Sequence, residues 1–172
     1  MTLFFQQLVS GISTGAIYAS LALALVLIYR STHIVNFAQG EMAMFSTYIA
    51  WQFTDWGWGV WAAIAATLVI SFVGGLAIER VVIRPVESSS VLTVVIVTLG
   101  LLLIFNQAAA WRWTSILKSF PSPFPDGAWW IGDVRINWSD VGIVVVLLVS
   151  VAALWFLFQK TKVGLAMRAA AA

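Results

Sequence analysis

The sequence predicts an all-α fold, a polytopic transmembrane helical bundle of about five spans with the N-terminus outside and the C-terminus cytoplasmic. Three observations predict it. Of 172 residues, 62% are hydrophobic and 9% charged, with a mean hydropathy of +0.97, where a soluble domain carries roughly a quarter charged residues. The apolar residues come in long continuous runs, not at a 3.6-residue period, and lipid admits such runs as helices because it leaves no backbone group unpaired. The basic residues and tryptophans then divide between two sides, which sets the orientation.

A span needs about 20 mostly apolar residues to cross roughly 30 Å of hydrocarbon. The first run covers residues 3–29; no Lys or Arg precedes Arg30, so it lacks the basic start of a signal peptide and is too long for one. The second, 37–53, is short and carries Glu41 near its start. The third covers 60–78, the fourth 91–111 and the fifth 141–158. No internal repeat or domain boundary interrupts them, so residues 1–172 read as a single transmembrane domain.

Arg30, Arg80, Arg84, Lys160, Lys162 and Arg168 fall on one side of these spans. Arg112, Lys118 and Arg135 fall on the other, diluted by Asp55, Asp126, Asp133 and Asp140. Six against three places the first group in the cytoplasm. Trp51, Trp56, Trp58, Trp61, Trp111, Trp113, Trp129, Trp130 and Trp138, nine of the ten tryptophans, flank the opposite side as an interfacial belt does. The outer loop, 112–140, begins with a helix-free path enforced by Pro121, Pro123 and Pro125. Gly132-Asp133 between β-prone arms predicts a hairpin with a two-residue turn, and Ser139 or Asp140 is placed to cap the fifth helix. Gly11, Gly15 and Ala19 recur at every fourth position of the first span, a small-residue face that lets another helix approach closely, in this chain or in a partner.

Several functions are excluded. A net charge of +2 with scattered basic residues does not make a nucleic-acid surface. Zero cysteines and one histidine rule out disulfides and leave no ligand set for a metal centre. No phosphate-binding G-x-x-x-x-G-K-[ST] loop and no nucleophile motif is present, so no catalytic or metal residue is assigned.

The chemistry concentrates in "STHIVNFAQGEM", residues 31–42, where His33, Asn36, Gln39 and Glu41 lie between two apolar runs. Three placements are open. The segment is a cytoplasmic connection in which Asn36 and Gln39 form a capping box and Glu41 complements the helix dipole. Or it is a break at membrane depth, where non-helical backbone survives only against protein or a wet cavity. Or His33 and Glu41 act as an acid–base pair, which no accompanying motif supports.

The longer stretch "GAIYASLALALVLIYRSTHIVNFAQGEMAMFSTY" resembles the permease subunits of branched-chain amino acid ABC importers. The match is carried by Gly15, Tyr18, Ala19, Ile28, Tyr29, Asn36, Phe37, Ala38, Gly40, Glu41, Met44 and Tyr48. "IERVVIRPVESSS" and "QKTKVGLAMRA" are similar to two further family segments, in the same order. The chain departs from the pattern at Ala24 and Arg30, where the family tends to have Gly, and at Gln39, where it tends to have His. Gln39 keeps hydrogen bonding without titrating. Family members continue through further spans, so the chain is expected to be the N-terminal part of a longer domain.

The resemblance implies a permease of the bacterial plasma (inner) membrane that moves branched-chain amino acids, or small polar solutes such as urea or short amides, by alternating access. It implies a second permease subunit, two cytoplasmic ATPase subunits that bind the ATP and Mg, and an extracytoplasmic solute-binding protein. This chain would then need no cofactor of its own. Asn36, Gln39 and Glu41 become candidates for the solute pathway, and Thr161, Gly164, Met167 and Arg168 for the segment that couples to the ATPase. The alternative is a membrane-embedded scaffold subunit without a pathway of its own.

Overall fold

The computed structural model describes residues 2–32, 34–114 and 116–161. Five long helices and one small hairpin follow in order: α1 (Thr2–Thr32), α2 (Gln39–Asp55), α3 (Val60–Ile78), α4 (Val91–Trp113), β1 (Ala128–Ile131), β2 (Val134–Asn137) and α5 (Trp138–Lys160). A π-helical turn, Glu79–Ile83, extends α3. Thus the all-α expectation holds, as does the hairpin. Four helices (α1, α3 with its π turn, α4 and α5) are long and apolar enough to cross a membrane. Helix α2, at 17 residues, is not among them.

The chain divides into two compact units, a terminal one of residues 1–33 with 122–172 and a central one of residues 34–121. In the central unit α2 packs against both α3 and α4. Helix α4 turns one stripe inward, Val94, Thr98, Leu101, Ala109 and Trp113, at the spacing of one helical face. On α2 nearly every side chain from Glu41 to Thr54 is at least half-covered, Ala43 and Thr47 excepted. The helices around it are the reverse, with Leu68, Phe72 and Leu76 of α3 and Leu103 of α4 exposed. Such faces suit hydrocarbon, which solvates Leu and Phe as well as a protein core does.

In the terminal unit α1 packs against α5 and β2, with Ser13 and Ala16 as its buried positions. Gly11 and Gly15 have open space where a Cβ would stand, and Ala19 is exposed. The predicted small-residue face is therefore unoccupied among the described residues. In the hairpin, β1 pairs with β2 around Gly132-Asp133, and Gly132 takes φ +63°, which a side chain would disfavour. The outward N–H and C=O of Arg135 on β2 are both met by the Gln6 side chain of α1, at 2.9 Å each. One amide thus satisfies a strand edge that would otherwise be left open.

Two capping expectations are corrected. Asn36 does not cap α2, which starts at Gln39 after Ala38 with no side-chain cap bond. The Asn36 Oδ1 instead accepts from the Ala38 N–H at 3.0 Å, an Asx-turn that bends the chain before the helix starts. The Gln39 side chain accordingly makes no capping box. Neither Ser139 nor Asp140 precedes α5. That helix starts at Trp138, and the Asp140 carboxylate accepts from the Asn137 side-chain amide at 3.1 Å.

Candidate functional site

Helix α2 carries polar groups at three levels, each set against a different neighbour. Residues 34–38 at its start are non-helical, with Ala38 fully buried. The Asn36 side chain turns the backbone as described and sets its amide 3.8 Å from the Met42 sulfur. The Gln39 Oε1 is buried and finds no partner among the described residues. Glu41 faces α4, where its carboxylate accepts from the Asn106 side-chain amide at 3.3 Å. That distance is at the long end for N–H···O bonds, so the half-buried carboxylate is only lightly held.

Halfway along α2, the Ser71 hydroxyl of α3 donates to Ser46 at 2.8 Å and Ser46 donates to the Met42 carbonyl at 2.8 Å. This relay joins α2 to α3. Beside it runs a groove of ≈ 370 Å³ lined by Ser46, Thr47, Ala50, Thr67, Ser71 and Phe120 among others. The Thr67 hydroxyl has no partner among the described residues, although Thr67 is 7% exposed. Near the end of α2, Gln52 accepts from the Trp113 indole at 3.0 Å, and Tyr48 stacks on Trp113 with centroids 5.3 Å apart. The Lys118 ammonium sits 4.1 Å over the Trp51 ring.

The structure therefore brings Asn36, Gln39 and Glu41 together at one helix start. It adds Asn106, which the sequence reading passed over. The signal was present, an Asn-Gln pair inside the otherwise apolar fourth run. His33 lies outside the described residues, as do Lys162, Gly164, Met167 and Arg168. Thr161 is described, and its hydroxyl donates to the Leu157 carbonyl, an ordinary bond within the end of α5. Among the described residues no group of three or more His, Cys, Asp or Glu side chains could hold a metal. What the arrangement offers is a sequence of hydrogen-bonding groups along one helix surrounded by apolar neighbours.

Comparison with known proteins gives a consistent picture. The family described as the branched-chain amino acid transport system / permease component matches residues 7–172. The high-affinity branched-chain amino acid transport system permease protein LivH of Escherichia coli K12 is 29% identical over 182 residues, covering 98% of this chain and 59% of that protein. The corresponding BraD of Pseudomonas aeruginosa is 28% identical over 181 residues, again 98% of this chain and 59% of its own length. LivH of Salmonella typhimurium is 28% identical over 182 residues with the same coverage. The chain thus spans 59% of the length of these curated relatives. No solved structure matches it.

Proposed function

We propose, for a chain that belongs to the family of branched-chain amino acid transport permease components, that it serves as a membrane-spanning subunit of an ATP-driven importer and that α2 lines the solute path. The chain is a multi-pass protein of the inner membrane. The solute is a branched-chain amino acid or a small polar relative. Hydrolysis of ATP resides in separate cytoplasmic subunits, a second permease completes the pathway, and an external binding protein delivers the solute.

One observation carries the assignment of α2: the Glu41 carboxylate, half-buried between apolar helices with Asn106 as its partner. An ionisable side chain set among the apolar helices of a membrane protein is costly unless it is paired or solvated, and it marks a pathway more often than a structural need. The unpartnered Gln39 oxygen, two residues earlier, supports the same reading, since a site that receives a polar solute keeps acceptors in reserve. Alternating access then needs α2 to change neighbours between α3 and α4, both of which it touches.

The test is uptake of labelled leucine in cells lacking their own importer and supplied with this chain and its partner subunits. Glu41→Gln should leave the membrane abundance of the chain unchanged and lower uptake at least tenfold, about 1.4 kcal/mol in transport barrier. Unchanged uptake would remove Glu41 from the pathway. Loss of abundance together with uptake would instead identify a structural scaffold.

A further inference from the structure

We propose that the pocket formed by the C-terminal half of α2 and the segment after α4 is a binding subsite for the zwitterion of an α-amino acid with a short apolar side chain, anchored through its carboxylate by Lys118. The inference deepens the transport reading above and rests on it. Met44, Thr47, Tyr48 and Trp51 recur on one face of α2, and with Lys118 and Phe120 they line a pocket of ≈ 290 Å³. Small-molecule sites begin at about 300 Å³, so this one suits a single small solute.

Three chemistries meet in that space, one for each part of the ligand. The Lys118 ammonium is positioned by the Trp51 ring at 4.1 Å and has no carboxylate partner among the described residues. It therefore offers its charge to an incoming carboxylate through a charge-assisted hydrogen bond. The Thr47 hydroxyl already donates to the Ala43 carbonyl at 2.9 Å, so what it presents to the pocket is acceptor capacity, which an α-ammonium uses. Met44, Tyr48, Trp51 and Phe120 give the apolar walls for the alkyl group.

The pocket also has a way onward. Thr47 and Phe120 line both it and the groove beside the serine relay, so a solute released from Lys118 meets the groove of Ser46 and Ser71 next. A phospholipid phosphate could satisfy the same ammonium, and the experiment separates the two.

The experiment measures equilibrium binding of radiolabelled L-leucine to the full chain in nanodiscs, made either of phosphatidylcholine or with added phosphatidylglycerol. We expect displaceable leucine binding in both lipids and about tenfold poorer competition by leucinamide, which lacks the carboxylate. Lys118→Gln should weaken leucine binding by about tenfold and Lys118→Arg by much less, with thermal unfolding unchanged in both. Absence of displaceable binding, equal competition by leucinamide or wild-type binding by Lys118→Gln would overturn the subsite. Loss of leucine binding in phosphatidylglycerol would hand Lys118 to lipid and overturn it as well. If Lys118→Gln binds and transports as the unaltered chain does while Glu41→Gln still abolishes uptake, the subsite fails alone. If leucine binds as expected and no variant alters uptake, the transport reading fails and takes with it the pocket's place on the solute path.

Discussion

At the scale of single residues, the informative groups are those whose hydrogen bonds do not close. Thr67 presents a buried hydroxyl with no partner among the described residues, inside a helix that faces lipid on its other side. An unmet buried hydroxyl costs about 1–3 kcal/mol, and valine fills nearly the same volume without it. Thr67→Val should therefore stabilise the chain by about 1 kcal/mol or more, seen as a higher midpoint for loss of the monodisperse species on heating in detergent. If the groove beside Thr67 conducts solute, the same variant should lower leucine uptake. A gain in stability with a loss of function separates a retained pathway group from a packing fault. A loss of stability would show that the hydroxyl has a partner in the assembled protein. Glu41 is the complementary case, because its one bond, to Asn106, is long.

At the scale of elements, close approach decides where substitution is tolerated. A Cβ at Gly142, in the first turns of α5, would overlap the Phe124 ring of the proline-rich segment. Gly142→Ala should accordingly destabilise the terminal unit by about 1–3 kcal/mol despite the better helix propensity of alanine. Phe124→Leu should recover part of that loss in the double variant, a coupling that thermal unfolding of the four members of the cycle measures. Elements with punctuation of their own were legible in the sequence. Helix α3 runs over 60–78 as expected because Gly59 precedes its apolar run, and it passes into the π turn at Glu79. The hairpin is where Gly132-Asp133 placed it, since a two-residue turn fixes its register. The start of α2 was not legible, because Asn36 followed by Gln39 fits a capping box and an Asx-turn equally well, and only the backbone path decides. Nor could sequence show that Asn106 meets Glu41 or that Lys118 meets Trp51. Those pairs lie 65 and 67 positions apart and exist only after α2 and α4 pack.

At the scale of the whole chain, a crossing by α2 determines the topology of everything after it. Its 17 residues span about 25 Å, less than a hydrocarbon core of about 30 Å. We expect a full crossing nonetheless, on two features. The non-helical residues 34–38 add length at one end. At the other, Trp51, Trp56 and Trp58 lie where interfacial rings anchor a helix, together with Trp61 and Trp113 from its neighbours. Arg80 and Arg84 lie at the far end of α3, the side that the positive-inside rule assigns to the cytoplasm. With the N-terminus outside, as the positive-inside rule assigns it, and with α2 crossing, Asp55 and Asp126 face outside and Ser88 faces inside. If α2 only dips into the bilayer, α3 starts from the cytoplasm and the sides of all three positions invert. The absence of native cysteine makes the test direct, because Asp55→Cys, Ser88→Cys and Asp126→Cys each place one thiol at an exposed connection. A membrane-impermeant maleimide should label positions 55 and 126 in intact cells and position 88 only after permeabilisation. The reverse pattern would move the Lys118 pocket to the cytoplasmic face, and a thiol placed at Thr2 then separates its two causes. Labelled in intact cells, it makes α2 a re-entrant helix and leaves four crossings; protected, it inverts the whole chain.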